Sequence, residues 1–260
     1  MNQELLKEVL SVPTFFGEED NMINFLKDYL ESKDLEYKVD DIGNIYVTKG
    51  DSDKYPCFVS HTDTVHQVNE RLEVYENQDG NLQGRDSVDR TPLGIGGDDK
   101  CGVYLCLEML DKLDNIKVAF FVGEEYGMVG SKQADPDFFS NVLYSIQFDS
   151  PYGNTMSMTL MNKPLFDIDS PFGKTVGPIL KEYGITEWQH HPYTDTYQLM
   201  IKFGFPCLNI AAGYHRYHTV NEYVVPSEVN NSLELALNLF HNLDYMHQQV
   251  PQHVVSNSTP

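Results

Sequence analysis

Basic residues are few: 18 Lys and Arg stand against 39 Asp and Glu, for a formal net charge of −21. No basic stripe is available to displace counterions from phosphates, which excludes a nucleic-acid-binding surface. No apolar run approaches the roughly eighteen residues that cross a bilayer, so no membrane segment is expected. The opening MNQELLKEVLSV is acidic and amphipathic and lacks the basic start and apolar centre of a signal peptide. The expected location is cytoplasmic. Cysteine is scarce as well. Cys57, Cys101, Cys106 and Cys207 lie in apolar stretches without metal-ligand or redox spacing and read as reduced core thiols. Repeats, low-complexity linkers and composition breaks are missing, which leaves one domain over 1–247 and a tail, 248–260.

What is present can build a core: 41% of the 260 residues are hydrophobic and 12% are aromatic. Apolar spacings of three and four predict helices over 2–12 and 18–33. Segments 35–40 and 44–49, around Gly43-Asn44, form a hairpin pattern, as do 72–76 and 81–84 around Asp79-Gly80. Strands are expected over 56–60, 116–122, 142–148 and 206–211. Helices are expected over 98–113, 172–184, 195–203 and 227–247. Helices alternating with apolar strands indicate an α/β fold: a three-layer sandwich whose central sheet is mixed but mostly parallel.

Polar groups gather where these strands stop. YPCFVSHTDTVHQ, 55–67, runs from an apolar strand into His61 and Asp63. Glu124 and Glu125 follow KVAFFV, Asp149 follows YSIQF, and Asp98-Asp99 open a helix after the glycine-rich TPLGIGG. His218 trails the strand at 206–211 by a short loop. In open α/β sheets such residues can meet in the crevice beyond the strand ends. Two histidines with several carboxylates make a nitrogen–oxygen donor set for zinc or a related divalent ion. Each signal alone has a plainer explanation. A His-x-Asp triplet is expected about once by chance in this composition. Asp98-Asp99 also suit a helix cap, Glu124-Glu125 an exposed turn, Asp149 an Asx turn and His218 an ordinary loop. Their joint occurrence at places the fold would bring together favours a site.

The ordered set HTDTV, GGDDKCG, GEEYG, FDS and YHTVNE resembles the co-catalytic di-zinc exopeptidases, which include peptidase T, the glutamate carboxypeptidases, and the leucyl and glutamyl aminopeptidases. The resemblance runs from LLKEVLSVPTFFGEE to VNEYVVPSE, nearly the whole chain. It implies two Zn2+, with Co2+ or Mn2+ as alternatives. His61 and Asp149 would serve one ion, Glu125 and His218 the other, and Asp98 would bridge them. Asp63 would orient the His61 ring, and Glu124 would be the general base. Thr194-Asp195, in YTDTYQL, matches a stretch that helps line the substrate pocket.

The chain departs from the lidded members. Peptidase T and the glutamate carboxypeptidases carry an inserted domain after the residue matching Asp149. The stretch from Asp149 to His218 has no room for it beside the helices at 172–184 and 195–203. The glutamyl aminopeptidases carry theirs before the bridging Asp, where His61 and Asp98 are again too close in sequence. A catalytic domain without a lid is implied, as a monomer or small homo-oligomer. Without a lid, His191 or Tyr193 is left to stabilise the oxyanion, Arg216 is available to recognise a carboxylate, and His66 is assigned to the surface. The expected function is hydrolysis of a terminal amide in small peptides, by an aminopeptidase or dipeptidase. Two alternatives are removal of an acyl group from acyl-amino acids and a catalytically silent metal-binding protein.

Overall fold

The structure, a computed structural model, describes residues 1–159, 163–191, 193–243 and 246. Helices α1 (Gln3–Ser11) and α2 (Asp20–Ser32) open the chain. Asn2 caps α1, its side-chain oxygen accepting the Leu5 N–H at 3.2 Å. Leu5, Leu6, Val9 and Leu10 share its buried face. Strands β1 (Tyr37–Val39) and β2 (Ile45–Lys49) pair antiparallel with Val39 opposite Ile45. There follow β3 (Tyr55–His61), β4 (Leu72–Glu76), β5 (Leu82–Asp86), β6 (Pro92–Leu93), α3 (Gly97–Lys112) and β7 (Ile116–Phe121). The short helices α4 (Val129–Lys132) and α5 (Pro136–Phe139) precede β8 (Val142–Ser150) and β9 (Thr155–Met158). The remainder comprises α6 (Pro171–Glu182), β10 (Glu187–His190), α7 (Asp195–Phe203), β11 (Cys207–Ala211), β12 (Tyr214–His215), β13 (Tyr223–Val224) and α8 (Pro226–Asn242).

The main sheet has the order β1-β2-β7-β3-β8-β11. Its β7–β3, β3–β8 and β8–β11 pairs are parallel, while β1–β2 and β2–β7 are antiparallel. The parallel strands are buried on both faces, which explains their near-continuous apolar runs. Phe58, Val118, Phe120 and Ile146 pack towards one side, with residues of α1, α2, α3, α6 and α8. Cys57, Val59, Ala119 and Phe121 alternate to the other, against Phe139 and Leu199. The result is helices over both faces of a mixed, mostly parallel sheet. All four cysteines are free and buried.

Three details differ from expectation. The β4–β5 hairpin is not isolated: β13 pairs with β5 and β12 with β13, while β6 continues along the same edge of β5, opposite β4, making a second sheet. The segment around His218 is thereby drawn back to residues 82–83. A parallel pair, β9–β10, brackets α6, its four-residue strands too short to show a period in the sequence. The last helix is described to Asn242, and residues 247–260, including the expected tail, lie outside the described residues.

Candidate metal centre

Neighbouring strands deliver the first donors. β3 ends on His61, β8 carries Asp149 beside its last residue, and Glu124-Glu125 follow β7 through Gly123. Asp98 enters from the first turn of α3, and His218 from the loop between β12 and β13. His61 Nε2 lies 3.3 Å from Asp98 Oδ1, 3.8 Å from Asp149 Oδ1 and 3.9 Å from Glu124 Oε2. His218 Nε2 lies 2.8 Å from Glu125 Oε1 and 3.3 Å from Asp98 Oδ2. Asp98 therefore turns one oxygen to each histidine. Two groups result, His61/Asp98/Asp149 and Asp98/Glu125/His218, each with its donor atoms within 4.8 Å of one another.

These residues fit divalent cations. His61 Nε2 and Asp98 Oδ1 are buried without a hydrogen-bond partner. Such orphans are costly, and here they face each other across a gap wider than a good hydrogen bond. Imidazole nitrogen with carboxylate oxygen is also the donor chemistry of zinc and its neighbours.

A set of contacts behind the donors fixes them. Asp63 Oδ1 lies 3.2 Å from His61 Nδ1 and accepts the Glu124 N–H at 2.9 Å, while Oδ2 accepts the Glu125 N–H at 3.1 Å. The Asp98-Asp99 pair divides its labour. Asp98 faces the site, whereas Asp99 accepts the Gly102 N–H at 3.0 Å, as a helix cap would, and the His61 N–H at 3.2 Å. Asp149 receives the Gln147 side-chain amide at 3.1 Å and the Tyr214 hydroxyl at 3.3 Å, and donates its own N–H to Asn209 at 2.9 Å. Sequence reasoning missed Gln147, Asn209 and Tyr214. A signal for Gln147 exists: it is polar within an apolar strand, two residues before Asp149 and so on the same face.

The convergence of carboxylates shapes every protonation equilibrium. Hydrogen bonds donated to the Asp98 and Glu125 carboxylates raise the His218 pKa to about 10 against the effect of burial. Burial opposes charge on His61, yet Asp149, Asp63 and Asp98 carry it well above the ordinary histidine range. Burial pushes Glu124 well above the usual carboxylate range, and Asp149, Asp195 and Glu125 add to it against His61. Despite burial, His218 and His61 hold Asp98 well below that range.

A cavity of about 330 Å³ opens onto Asp98, Glu124, Glu125, Asp149 and His218, with His191, Tyr193 and Tyr217 also on its wall. Burial lowers the His191 pKa, keeping it neutral, and its Nδ1 has no partner. Tyr193 stands at the rim, 66% exposed. Thr194 and Asp195 do not line this cavity. Both are fully buried: Thr194 pairs with the Thr196 hydroxyl at 3.0 Å, and Asp195 Oδ2 lies 3.5 Å from Gln147 Nε2, so Asp195 backs the site through Gln147. Arg216 is also off the wall, its exposed guanidinium 6.0 Å from the Tyr223 ring. His66 is not a free surface residue, since its Nε2 lies 2.9 Å from Glu222 Oε2. A larger cavity, about 580 Å³, lies by the amino ends of β8 and β11 among Leu165, Phe166, Phe172 and Phe205. Asp167 is its only titratable lining group among the described residues, so size does not mark the chemistry here.

A mixed sheet with carboxylates and imidazoles gathered beyond its strand ends defines a metallohydrolase of the zinc-exopeptidase class. The model of Peptidase family M28 matches residues 44–240, and the chain belongs to that family. It is similar to a tripeptidase from Staphylococcus aureus subsp. aureus Mu50, with a TM-score of 0.76, 14% identity, and coverage of 95% of this chain and 98% of that one. It is similar also to the aminopeptidase PepT from Bacillus cereus ATCC 10987, with a TM-score of 0.75, 17% identity, and coverage of 94% and 99%. At these identities the likeness speaks for the fold. Among curated proteins, LysW-lysine hydrolase of Deinococcus radiodurans is 31% identical over 87 residues, 34% of this chain and 23% of that protein. The chain thus matches under a quarter of that relative's length.

Proposed function

We propose that this protein cleaves the amino-terminal peptide bond of small peptides, using water activated at a pair of divalent cations, zinc foremost. Asp98 carries the proposal, because its two oxygens face His61 and His218 separately and so complete two donor sets from one side chain. His61 and Asp149 would hold one cation, Glu125 and His218 the other, and Asp98 both; cobalt or manganese suits the same donors. When bound, such a pair supplies Lewis acidity and brings the pKa of water towards neutrality.

Glu124 is in neither donor set but lines the cavity, with Oε2 3.9 Å from His61 Nε2. It takes the proton from water and returns it to the departing amine, which cannot leave as an anion. Asp63 aims the His61 ring and the Glu124-Glu125 backbone together. His191, neutral and on the wall, donates to the carbonyl oxygen as charge develops there, and Tyr193 contacts substrate at the rim. The choice of the amino terminus draws on the likeness to the aminopeptidase PepT. The reading takes 1–247 as one catalytic domain without a lid, cytoplasmic, and a monomer or small homo-oligomer.

Glu124→Gln is expected to retain both cations and to lose about 100- to 10,000-fold in kcat. Near-normal turnover with both cations kept sinks the proposal. A peptide-library digest read by mass spectrometry reports which terminus is attacked. A second reading, removal of an acyl group from an amino acid, draws on the partial likeness to LysW-lysine hydrolase. N-acetylating a peptide separates the two, because it abolishes aminopeptidase cleavage and spares deacylation.

A further inference from the structure

We propose that Glu222 is a positioning residue that sets the His218 half of the centre, with His66 as its brace. The inference rests on the two-cation reading above. The Glu222 side chain is fully buried. A buried carboxylate is strongly unfavourable unless donors surround it, and three do. Oε1 accepts the Asp98 N–H at 3.1 Å, and Oε2 accepts the Gly96 N–H at 2.9 Å and the His66 Nε2–H at 2.9 Å.

The two backbone donors belong to the turn that presents Asp98. The acceptor belongs to the loop that presents His218, four residues earlier, and that loop is tightened by the Glu222 N–H donating to the Thr219 carbonyl at 3.1 Å. One carboxylate therefore joins the segments that carry two of the three donors of the outer set. Their approach is close: a Cβ at Gly97 would lie 2.7 Å from Tyr214 Cβ and 2.8 Å from Val224 Cγ2, on the strands flanking the His218 loop. The His66 ring is held in turn, because a Cβ at Gly94 would overlap it. The His61 half has its own supports in Asp99 and Gln147, and shares Asp63 with Glu125. Glu222 touches the His61 half only through the turn of Asp98, whereas it belongs to the His218 loop itself, so disturbing it should weaken the His218 half more than the other.

Glu222→Gln tests this sharply. The two oxygens each accept a different backbone N–H, so an amide NH2 must meet one of those donors head-on. Metal-free protein is titrated with Zn2+ by calorimetry, with Co2+ absorption spectra as a second readout. Wild type is expected to bind two Zn2+, and the variant to show one step weakened about 10- to 100-fold and the other, which Glu222 reaches only through Asp98, weakened distinctly less. Two unchanged steps, or two equally weakened steps in a folded variant, overturn the role of Glu222 while leaving the two-cation reading intact. Fewer than two Zn2+ in wild type overturns that reading and this inference with it. If Glu222→Gln does not fold, His66→Leu carries the test: a selective loss at one step is again expected, and two unchanged steps overturn the proposal.

Discussion

His61 and Asp149 stand at the ends of neighbouring strands with their side chains 0% and 6% exposed, whereas His218 stands in a loop with its side chain 41% exposed. β3 is hydrogen-bonded on both sides, to β7 and β8, so the backbone beneath the inner donors is set by the sheet itself. His218 sits in the loop between β12 and β13, whose short ladder stops at His215 and Tyr223. The geometry of the outer donors depends on contacts from side chains far away in the sequence. A donor set on strand ends is a property of the scaffold, and one on loops is a property of whatever props those loops.

The largest expected effect comes from the group common to both halves. Asp98→Ala should abolish both Zn2+ binding steps in calorimetry and lower kcat/KM by about 1,000-fold. Loss of a single step would break the comparison, since Asp98 would then serve one half only. Next, stepwise removal with a chelator, followed by Co2+ absorption, should release the cation on the His218 side first. His218→Ala should erase that early phase and leave the late one. Gln147→Leu is the mirror of Glu222→Gln and should weaken only the inner step, about 10-fold. The last effect falls on stability and not on cation binding, and concerns Glu19, which accepts a hydrogen bond from the Thr62 hydroxyl, next to His61. Burial, helped by Asp63, raises its pKa from 4.5 to about 7. The folded state thus holds this proton more tightly than the unfolded chain does. The associated stability is complete below about pH 4.5 and lost as pH rises through about 7. In metal-free protein Glu19→Gln should flatten that decline, by at most about 3 kcal/mol, in denaturant melts between pH 5 and pH 8.

The sheet's central strands were legible in sequence because burial on both faces makes each an apolar run, and His61, Glu124-Glu125 and Asp149 lie where those runs stop. The helix at α3 was legible too, but the division between Asp98 and Asp99 only through the family resemblance, which singles out Asp98, since adjacent carboxylates before a helix look alike. Thr194 and Asp195 were expected on the pocket wall and lie buried behind it, because the start of a helix does not reveal which of its flanks faces solvent. Arg216 was expected near substrate and sits beside Tyr223 instead. His66 was expected at the surface. Its partner is 156 residues away, and a contact of that span leaves no local pattern to find.

Asp63 holds the imidazole of His61 and the backbone of both following glutamates through a single carboxylate. Gripping and cutting are thereby mechanically yoked: a substitution there cannot loosen one and spare the other. With Glu124 as the proposed base, an engineer seeking a variant that seizes its peptide without severing it has to alter Glu124 and leave the yoke alone.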